Sequence, residues 1–403
     1  MKKAVFEERV PEHFKGKKEK KKDLGEIARL FLRLGTTAFG GPAAHIAMME
    51  DEVVRKRQWI SREEFLDLLS ATALIPGPNS TEMAIHIGHR RGGWAGLLVA
   101  GASFILPSVF IVGLVSWGYV RYGRIPAAEG ILYGIRPVIL AVVLQAILRL
   151  APSALKSGFL ALAGAVSMLL SLYGVNEIAL LLGCGLAAVL ADRETRRTGG
   201  GALSAFLFFG GFAAVGKTAA EAALAVPFSL ERLFLFFAKV GSVLFGSGYV
   251  LLAFLRADLV EKWHWLTESQ LLDAVAVGQI TPGPVFTTAT FIGYLLGGIP
   301  GAAAGTLGIF LPAFVFVALS GPLVPRMRRS PLAGSFLDGV NAASLALMVA
   351  VSLRMARGAI FDIPTMILAG AGGLLLLKYR INTTWLLAGA ALAGMLLRAL
   401  PFR

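Results

Sequence analysis

The chain has 403 residues, of which 56% are hydrophobic and 16% charged, and its formal net charge is +14. Soluble domains carry about one quarter charged residues, so this composition, with a mean hydropathy of +0.70, excludes an ordinary soluble protein and specifies an integral membrane protein. The basic excess lies mainly in the first 30 positions and in short loops between apolar runs, a topological signal that argues against nucleic acid as a partner.

Residues 1–23 are polar, and the cluster from Lys15 to Lys22 makes a basic arm expected on the cytoplasmic side, disordered or against anionic lipid. The arm has no apolar core before Leu24, so no cleavable signal peptide is expected. An apolar stretch from Leu24 to Met49 is broken by Phe39-Gly40-Gly41-Pro42, and a charged loop runs from Glu50 to Glu64. The next segment holds Ile75-Pro76-Gly77-Pro78-Asn79-Ser80-Thr81-Glu82 and is closed by Arg90 and Arg91. Proline lacks an amide proton and clashes with the preceding turn, so Pro-Gly-Pro interrupts any helix that contains it. Further apolar runs follow at about 93–118, 130–149, 157–173 and 175–191, then a charged linker from Asp192 to Gly201 and an extra run at about 203–225. Several of these runs can cross a ~30 Å hydrocarbon layer at ~1.5 Å per residue. Long uniform runs with 47 glycines differ from the ~10-residue alternation of a membrane barrel. Cys184 is the only cysteine and lies in an apolar run, so neither a disulfide nor a thiolate metal site is expected, and no cofactor.

The second half echoes the first. An offset of 206 carries Phe31, Gly35, Phe39-Gly40, Trp59, Asp67 and Pro76-Gly77-Pro78 onto Phe237, Gly241, Phe245-Gly246, Trp265, Asp273 and Pro282-Gly283-Pro284. After one deletion, an offset of 205 carries Gly88, Gly92-Gly93, Gly96, Leu106-Pro107 and Gly134 onto Gly293, Gly297-Gly298, Gly301, Leu311-Pro312 and Gly339. The chain therefore divides into the arm 1–23, a first repeat 24–191, a linker with an extra membrane helix 192–230, and a second repeat 231–403. Counting apolar elements puts an odd number of crossings before the second copy, so the copies are expected to be inverted. Loop charges agree: Arg90 and Arg91 face Leu295 and Leu296 in the other copy, while Arg121 and Arg124 face Arg326, Arg328 and Arg329. Arg193, Arg196, Arg197, Lys378 and Arg380 then fall inside and the C-terminus outside, with Arg354 and Arg357 dissenting. The expected fold is an all-α polytopic membrane protein with two inverted-topology repeats, broken or re-entrant helices and about 13 membrane helical elements.

Two copies that each join a Phe-Gly break to a Pro-Gly-Pro element resemble the chromate ion transporter family in its long, two-domain form. The resemblance covers about residues 24–400 and rests on Phe39-Gly40-Gly41-Pro42 with Ala73-Leu74-Ile75-Pro76-Gly77-Pro78, and on Phe245-Gly246-Ser247-Gly248 with Gly278-Gln279-Ile280-Thr281-Pro282-Gly283-Pro284. It implies export of chromate from the cytoplasm across the inner membrane, with sulfate as the structural analogue. Pro42 faces Gly248, so the copies are not equivalent.

A tetrahedral dianion needs donors and positive potential, and a half-helix N-terminus supplies both. Such ends follow Gly40-Gly41-Pro42, Pro76-Gly77-Pro78, Gly246-Ser247-Gly248 and Thr281-Pro282-Gly283-Pro284, with hydroxyl and amide donors at Asn79, Ser80, Thr81, Thr287 and Thr288. The same glycines and prolines also serve plain kinking and close packing. Ionisable groups within apolar segments are candidates because burial is expensive. Arg33 and Lys239 occupy equivalent positions, suited to attracting an anion or to snorkelling. Arg136, beside Pro137, is an anion-binding candidate whose counterpart Asn341 keeps a donor without the charge. His45 follows Pro42, and Glu82 follows Pro78 as a proton-coupled gate or as a partner for Arg136 or His86. Asp67 and Asp273 are expected to cap or orient the Pro-Gly-Pro elements. A dianion leaving an inside-negative cell gains roughly 4.6 kcal/mol per 100 mV, so uniport and ion-coupled antiport both fit. An intramembrane enzyme is disfavoured, since no Gly-x-Ser-x-Gly or His-Glu-x-x-His motif occurs; a sulfate or other anion transporter or channel is the alternative. Expected partners are the oxyanion and the lipid bilayer; the small-residue stripes Gly93 to Gly96 and Gly297 to Gly305 suit packing within the chain, the commoner use, or between two copies as a homodimer.

Overall fold

The computed structural model describes residues 24–39, 41–123, 126–198, 226–245, 250–328, 330–379 and 381–399. The basic arm, the extra run at 203–225, and Gly40, Gly246, Ser247 and Gly248 lie outside them. The described residues form helices and no strands: an all-α polytopic membrane protein.

In the first copy α1 spans Leu24–Thr37, α2 spans Gly41–Glu50 and runs on through a π-helical turn at Asp51–Lys56, and α3 spans Arg62–Thr72. Then come α4 (Asn79–Tyr122), α5 (Pro126–Ala154), α6 (Gly158–Leu172) and α7 (Glu177–Thr198). The second copy repeats the order with α8 (Leu230–Val243), α9 (Leu251–Phe254) with its π-helical turn Leu255–Lys262, α10 (Glu268–Ile280), α11 (Thr288–Arg328), α12 (Pro331–Ala359), α13 (Ile363–Leu377) and α14 (Thr383–Ala399). Even unusual backbone recurs at the repeat offset. Gln58 and His264 are left-handed at φ 50° and 53°. Ser61 and Thr267 cap the next helices by accepting from the amides of Glu64 and Gln270.

Short pieces flank the breaks. Helices α1, α2, α3, α8 and α10 have 14, 10, 11, 14 and 13 residues, below the ~20 needed to span. Helix α4 is two helices joined at Gly93, whose φ of 63° and ψ of −150° belong to a region open only to glycine. Residues 88 and 96 would be ~12 Å apart on a straight helix, yet a Cβ on Gly88 would lie 3.0 Å from the carbonyl carbon of Gly96. The chain therefore folds back at Gly93: Asn79 to Gly92 is a half-length element and residues 94–122 form the span. Gly298, at φ 61° and ψ −147°, makes the same hairpin in α11, where Gly293 meets Gly301. The re-entrant reading of the leading elements is the one that the lengths allow.

Four helices among the described residues are long and apolar enough to cross a membrane: Asn79–Tyr122, Ala128–Ala154, Val285–Ser320 and Pro331–Ala359. The spans carry matching exposed apolar stripes, Leu106, Phe110 and Leu114 against Leu311, Val315 and Leu319.

The long helices are exchanged between copies. Helix α5 packs on α13 and α14 of the second copy, and α12 packs on α6 and α7 of the first. Glycine permits this approach: Gly134 lies against the carbonyl of Ala390, and its repeat partner Gly339 against the carbonyl of Cys184. The lone cysteine is thus a small packing residue, fully buried and equivalent to an alanine. Three ion pairs among the described residues cross the same boundary, Lys156 with Asp338, Arg398 with Glu129 and, the one whose carboxylate is fully buried, Arg136 with Asp273. Arg136 of α5 donates to Asp273 of α10 through Nε and Nη2, at 2.7 and 2.8 Å, and the Tyr119 hydroxyl donates to the same carboxylate at 2.8 Å. Asp273 has no exposed surface. The expectation that Asp67 and Asp273 cap or orient the Pro-Gly-Pro elements is corrected as to capping: Pro78 and Pro284 stand at those N-caps with no side-chain cap bond, Asp67 is exposed on α3, and Asp273 is bonded to Arg136 and Tyr119 of the first copy.

Two outcomes follow for stability. Gly93→Ala and Gly298→Ala each force an L-residue into a glycine-only conformation and are expected to destabilise by about 1–3 kcal/mol, read as a lowered melting temperature in detergent. Arg136→Gln or Asp273→Asn alone leaves one member of a buried pair uncompensated, a loss of about 3–5 kcal/mol, whereas Arg136→Met with Asp273→Leu is expected to cost less than the sum of the single changes.

Candidate functional site

The two Pro-Gly-Pro turns meet the two Phe-Gly breaks at the centre of the molecule, and they meet crosswise. The amide of Gly77 donates to the carbonyl of Leu244 at 2.8 Å, and the amide of Gly283 donates to the carbonyl of Ala38 at 2.9 Å. Ala38 and Leu244 are repeat partners, as are Gly77 and Gly283, so each copy supplies the acceptor for the other's turn. Reciprocal contact of this kind defines a two-fold relationship. Both glycines have positive φ, 140° and 86°, which the tight turn demands.

Side chains around this exchange differ between copies. The Ser108 hydroxyl of α4 donates to the carbonyl of Pro282 at 2.5 Å, while its repeat partner Ala313 lies 3.7 Å from where a Cβ on Gly77 would stand. His45 reaches the carbonyl of Ala38 through Nε2 at 3.0 Å and stacks edge-on against Phe104, which sets Nε2 as the protonated nitrogen. Gly41 and Pro42 begin α2, half-buried, four and three residues ahead of His45.

Pro78 is the N-cap of α4, and its carbonyl accepts from the amides of Thr81 and Glu82 at 2.7 and 3.0 Å. The amides of Asn79 and Ser80 remain the open donors of that first turn. Thr81 and Glu82 are wholly buried, Ser80 nearly so. The buried polar atoms without a hydrogen-bond partner in the protein concentrate here: His45 Nδ1, Asn79 Oδ1, Thr81 Oγ1, both carboxyl oxygens of Glu82 and His86 Nε2. In the second copy the groups matching Thr81 and Glu82 are closed on themselves: Thr287 donates to Pro284 O at 2.8 Å and Thr288 to Val285 O at 2.9 Å, and the nearby Thr281 donates to Val277 O at 2.9 Å.

The cations lie elsewhere. Arg33 pairs with Glu52 at 2.5 Å, and Lys239 pairs with Asp258 at 2.5 Å; both pairs occupy identical repeat positions and set an exposed cation on a largely buried acid. Arg136 is held by Asp273, nine residues before Pro282 and so about 14 Å along the helix from the turn. Asn341 is half-buried on α12. Pairing of Glu82 with Arg136 or His86 is corrected, because the carboxyl of Glu82 has no partner and the guanidinium of Arg136 is taken. The structure thus sets the Asn79 to Glu82 turn beside Gly77 and Ala313, sets His45 at the Ala38 carbonyl that Gly283 also bonds, and holds Arg33, Lys239 and Arg136 in ion pairs.

Sequence reading passed over Ser108, Tyr119 and the acids Glu52 and Asp258. Glu52 and Asp258 stand 206 apart and were open to the same repeat comparison that singled out Arg33 and Lys239. Ser108 carries a weaker signal, a hydroxyl facing an alanine across the repeat.

Known proteins agree with this architecture. The chromate transporter family model matches twice, at residues 25–189 and 231–395, segments offset by 206 at both ends. The chain is 33% identical over 378 residues to the chromate transport protein of Cupriavidus metallidurans, covering 92% of each. It is 31% identical over 385 residues to the chromate transport protein of Pseudomonas aeruginosa, covering 91% of this chain and 90% of the relative. The probable chromate transport protein of Synechococcus elongatus is 29% identical over 360 residues, covering 86% and 88%. No solved structure matches the chain. With both repeats matched in full register and relatives aligned along nearly their whole length, the chain belongs to the chromate transporter family.

Proposed function

We propose that the protein exports chromate across the inner membrane, binding the dianion where the broken helices meet. The observation that carries this reading is the concentration of unpartnered buried polar atoms at the N-terminus of α4, beside the crosswise Gly77 and Gly283 turns. A half-helix N-terminus presents amides and about half a positive charge. The open amides of Asn79 and Ser80 with the hydroxyls of Ser80 and Thr81 form a donor set for tetrahedral oxygens. His45, Gly41, Pro42 and the second turn from Thr281 to Pro284 frame it. A site built from dipoles and hydroxyls, with its nearby cations already paired, binds a dianion without trapping it. Sulfate offers the same oxygens and is the expected competitor.

The membrane potential is a sufficient driving force, at roughly 4.6 kcal/mol per 100 mV for a dianion. In this reading the N-terminus is inside and the two copies are inverted. Between Glu50 and Glu64 the first copy carries four Lys and Arg residues, and the equivalent stretch of the second copy, Arg256 to Gln270, carries two, a bias in the direction expected where the first loop is cytoplasmic and its counterpart is not. The two-fold axis relating the copies then lies in the membrane plane, and rocking of one copy's hairpins against the other exposes the site to alternate sides.

Inside-out vesicles containing the protein are expected to accumulate labelled chromate when the lumen is made positive, with unlabelled sulfate competing. Thr81→Val keeps shape and removes one donor to a charged ligand, worth about 1.5–3 kcal/mol, so half-saturation is expected to rise roughly tenfold to a hundredfold at unchanged protein level. Absence of potential-driven accumulation in wild-type vesicles overturns the export reading.

A further inference from the structure

Glu82 is the one carboxyl among the described residues with both oxygens buried and without a partner. It has no exposed surface. Its Oε1 lies against Gly77 where a side chain at that position would stand, with Ala313 of α11 beyond. The carboxyl is therefore set between the Pro-Gly-Pro turn of one copy and a span of the other, around the apolar cluster of Ile75, Ile85, Leu97, Ala313 and Val317.

The groups near it do not offset a charge. His86 is one turn further along the same helix, and His45 comes from α2 with Nε2 engaged at Ala38. Helix α3 contributes exposed Asp67, and α10 contributes Asp273, held by Arg136. Helix α11 faces it with Ala313 and Val317, and α1 carries Arg33, held by Glu52. No charged side chain among the described residues bonds the carboxyl of Glu82. Its repeat partner, Thr288, is neutral and bonded to its own turn, so the carboxyl serves one copy alone.

Glu82 and the proposed oxyanion share one positive helix end. The first turn of α4 favours a single negative charge, and two anions in one dry turn repel strongly. We propose that Glu82 is a proton-binding site linked to the anion: the turn accepts its oxyanion only when this carboxyl carries a proton. This rests on the oxyanion site proposed above. The step balances simply, since an ionised Glu82 takes one proton from water as the dianion enters and returns it as the dianion leaves. Glu82 is a positioning residue for charge; the donors to the anion are its neighbours.

Linkage fixes the sign. If binding takes up a proton, affinity falls as pH rises, and a permanently neutral side chain removes that dependence. The test is chromate binding to the purified full-length protein in detergent, by titration calorimetry across a pH series, with proton uptake read by a dye in weak buffer. Wild type is expected to take up a proton with chromate and to lose affinity as pH rises. Glu82→Gln is expected to lose the proton uptake and to show a flatter pH profile; chromate's own protonation is common to both and cancels in the comparison. Glu82→Asp, which keeps the carboxyl, is expected to restore the uptake. Chromate binding by wild type with no proton uptake beyond that of chromate itself overturns the inference and leaves the anion site standing, a result that needs no variant to fold. Equal uptake by wild type and Glu82→Gln also overturns it. No chromate binding by wild type at any pH overturns both readings.

Discussion

The structure depends on two hydrogen bonds related by the repeat, Gly77 N–H to the carbonyl of Leu244 and Gly283 N–H to the carbonyl of Ala38. Backbone freed at membrane depth has no water to bond, and each unmet group costs several kcal/mol. Proline at both sides of each glycine removes neighbouring donors, and the remaining glycine amide is met by the other copy. The acceptor lies at the Phe-Gly break, where a second helix ends and its carbonyls are open. Each interruption is thereby a condition for the other, and neither copy closes its own breaks alone.

That mutual dependence is repeated in the packing around it. Helix α5 finds its partners among the last helices of the second copy and α12 among those of the first, with glycine admitting backbone to backbone at Gly134 and Gly339. The hairpins at Gly93 and Gly298 return the chain so that half-helix and span lie side by side. The Arg136 to Asp273 pair closes the same boundary from within. Its contribution is to register, because a buried pair adds little net stability over apolar groups of the same size while a broken one is costly.

The repeat, the breaks and the helical class were legible in the sequence because each leaves a local trace: Pro-Gly-Pro, Phe-Gly, and a constant offset. The hairpin glycines were visible as Gly92-Gly93 and Gly297-Gly298, although their fold-back was not, since a glycine pair reads equally as close packing. What the sequence left open was the partner of each charge. Arg136 and Asp273 are 137 positions apart and in different copies, and no periodicity links them. An arginine inside an apolar helix is the same text whether it faces a substrate or a carboxylate. Arg33 and Glu52 were closer to legible, because both charges recur at the repeat offset in Lys239 and Asp258.

Duplication explains the frame, and divergence explains where chemistry is possible. A membrane interior penalises every open polar atom, so a purely structural turn evolves toward closure, as in the second copy, where Thr281, Thr287 and Thr288 all donate to nearby carbonyls. The first copy retains Asn79, Thr81 and Glu82 with open atoms at the same depth. Such a cluster is stable only because the second copy supplies rigid walls: Pro282 anchored by Ser108, Gly283 by Ala38, and Ala313 beside Gly77. The closed turn is thus the support on which the open turn can remain incomplete, and the inequality between Asn79-Ser80-Thr81-Glu82 and Val285-Phe286-Thr287-Thr288 is the division of labour between scaffold and site.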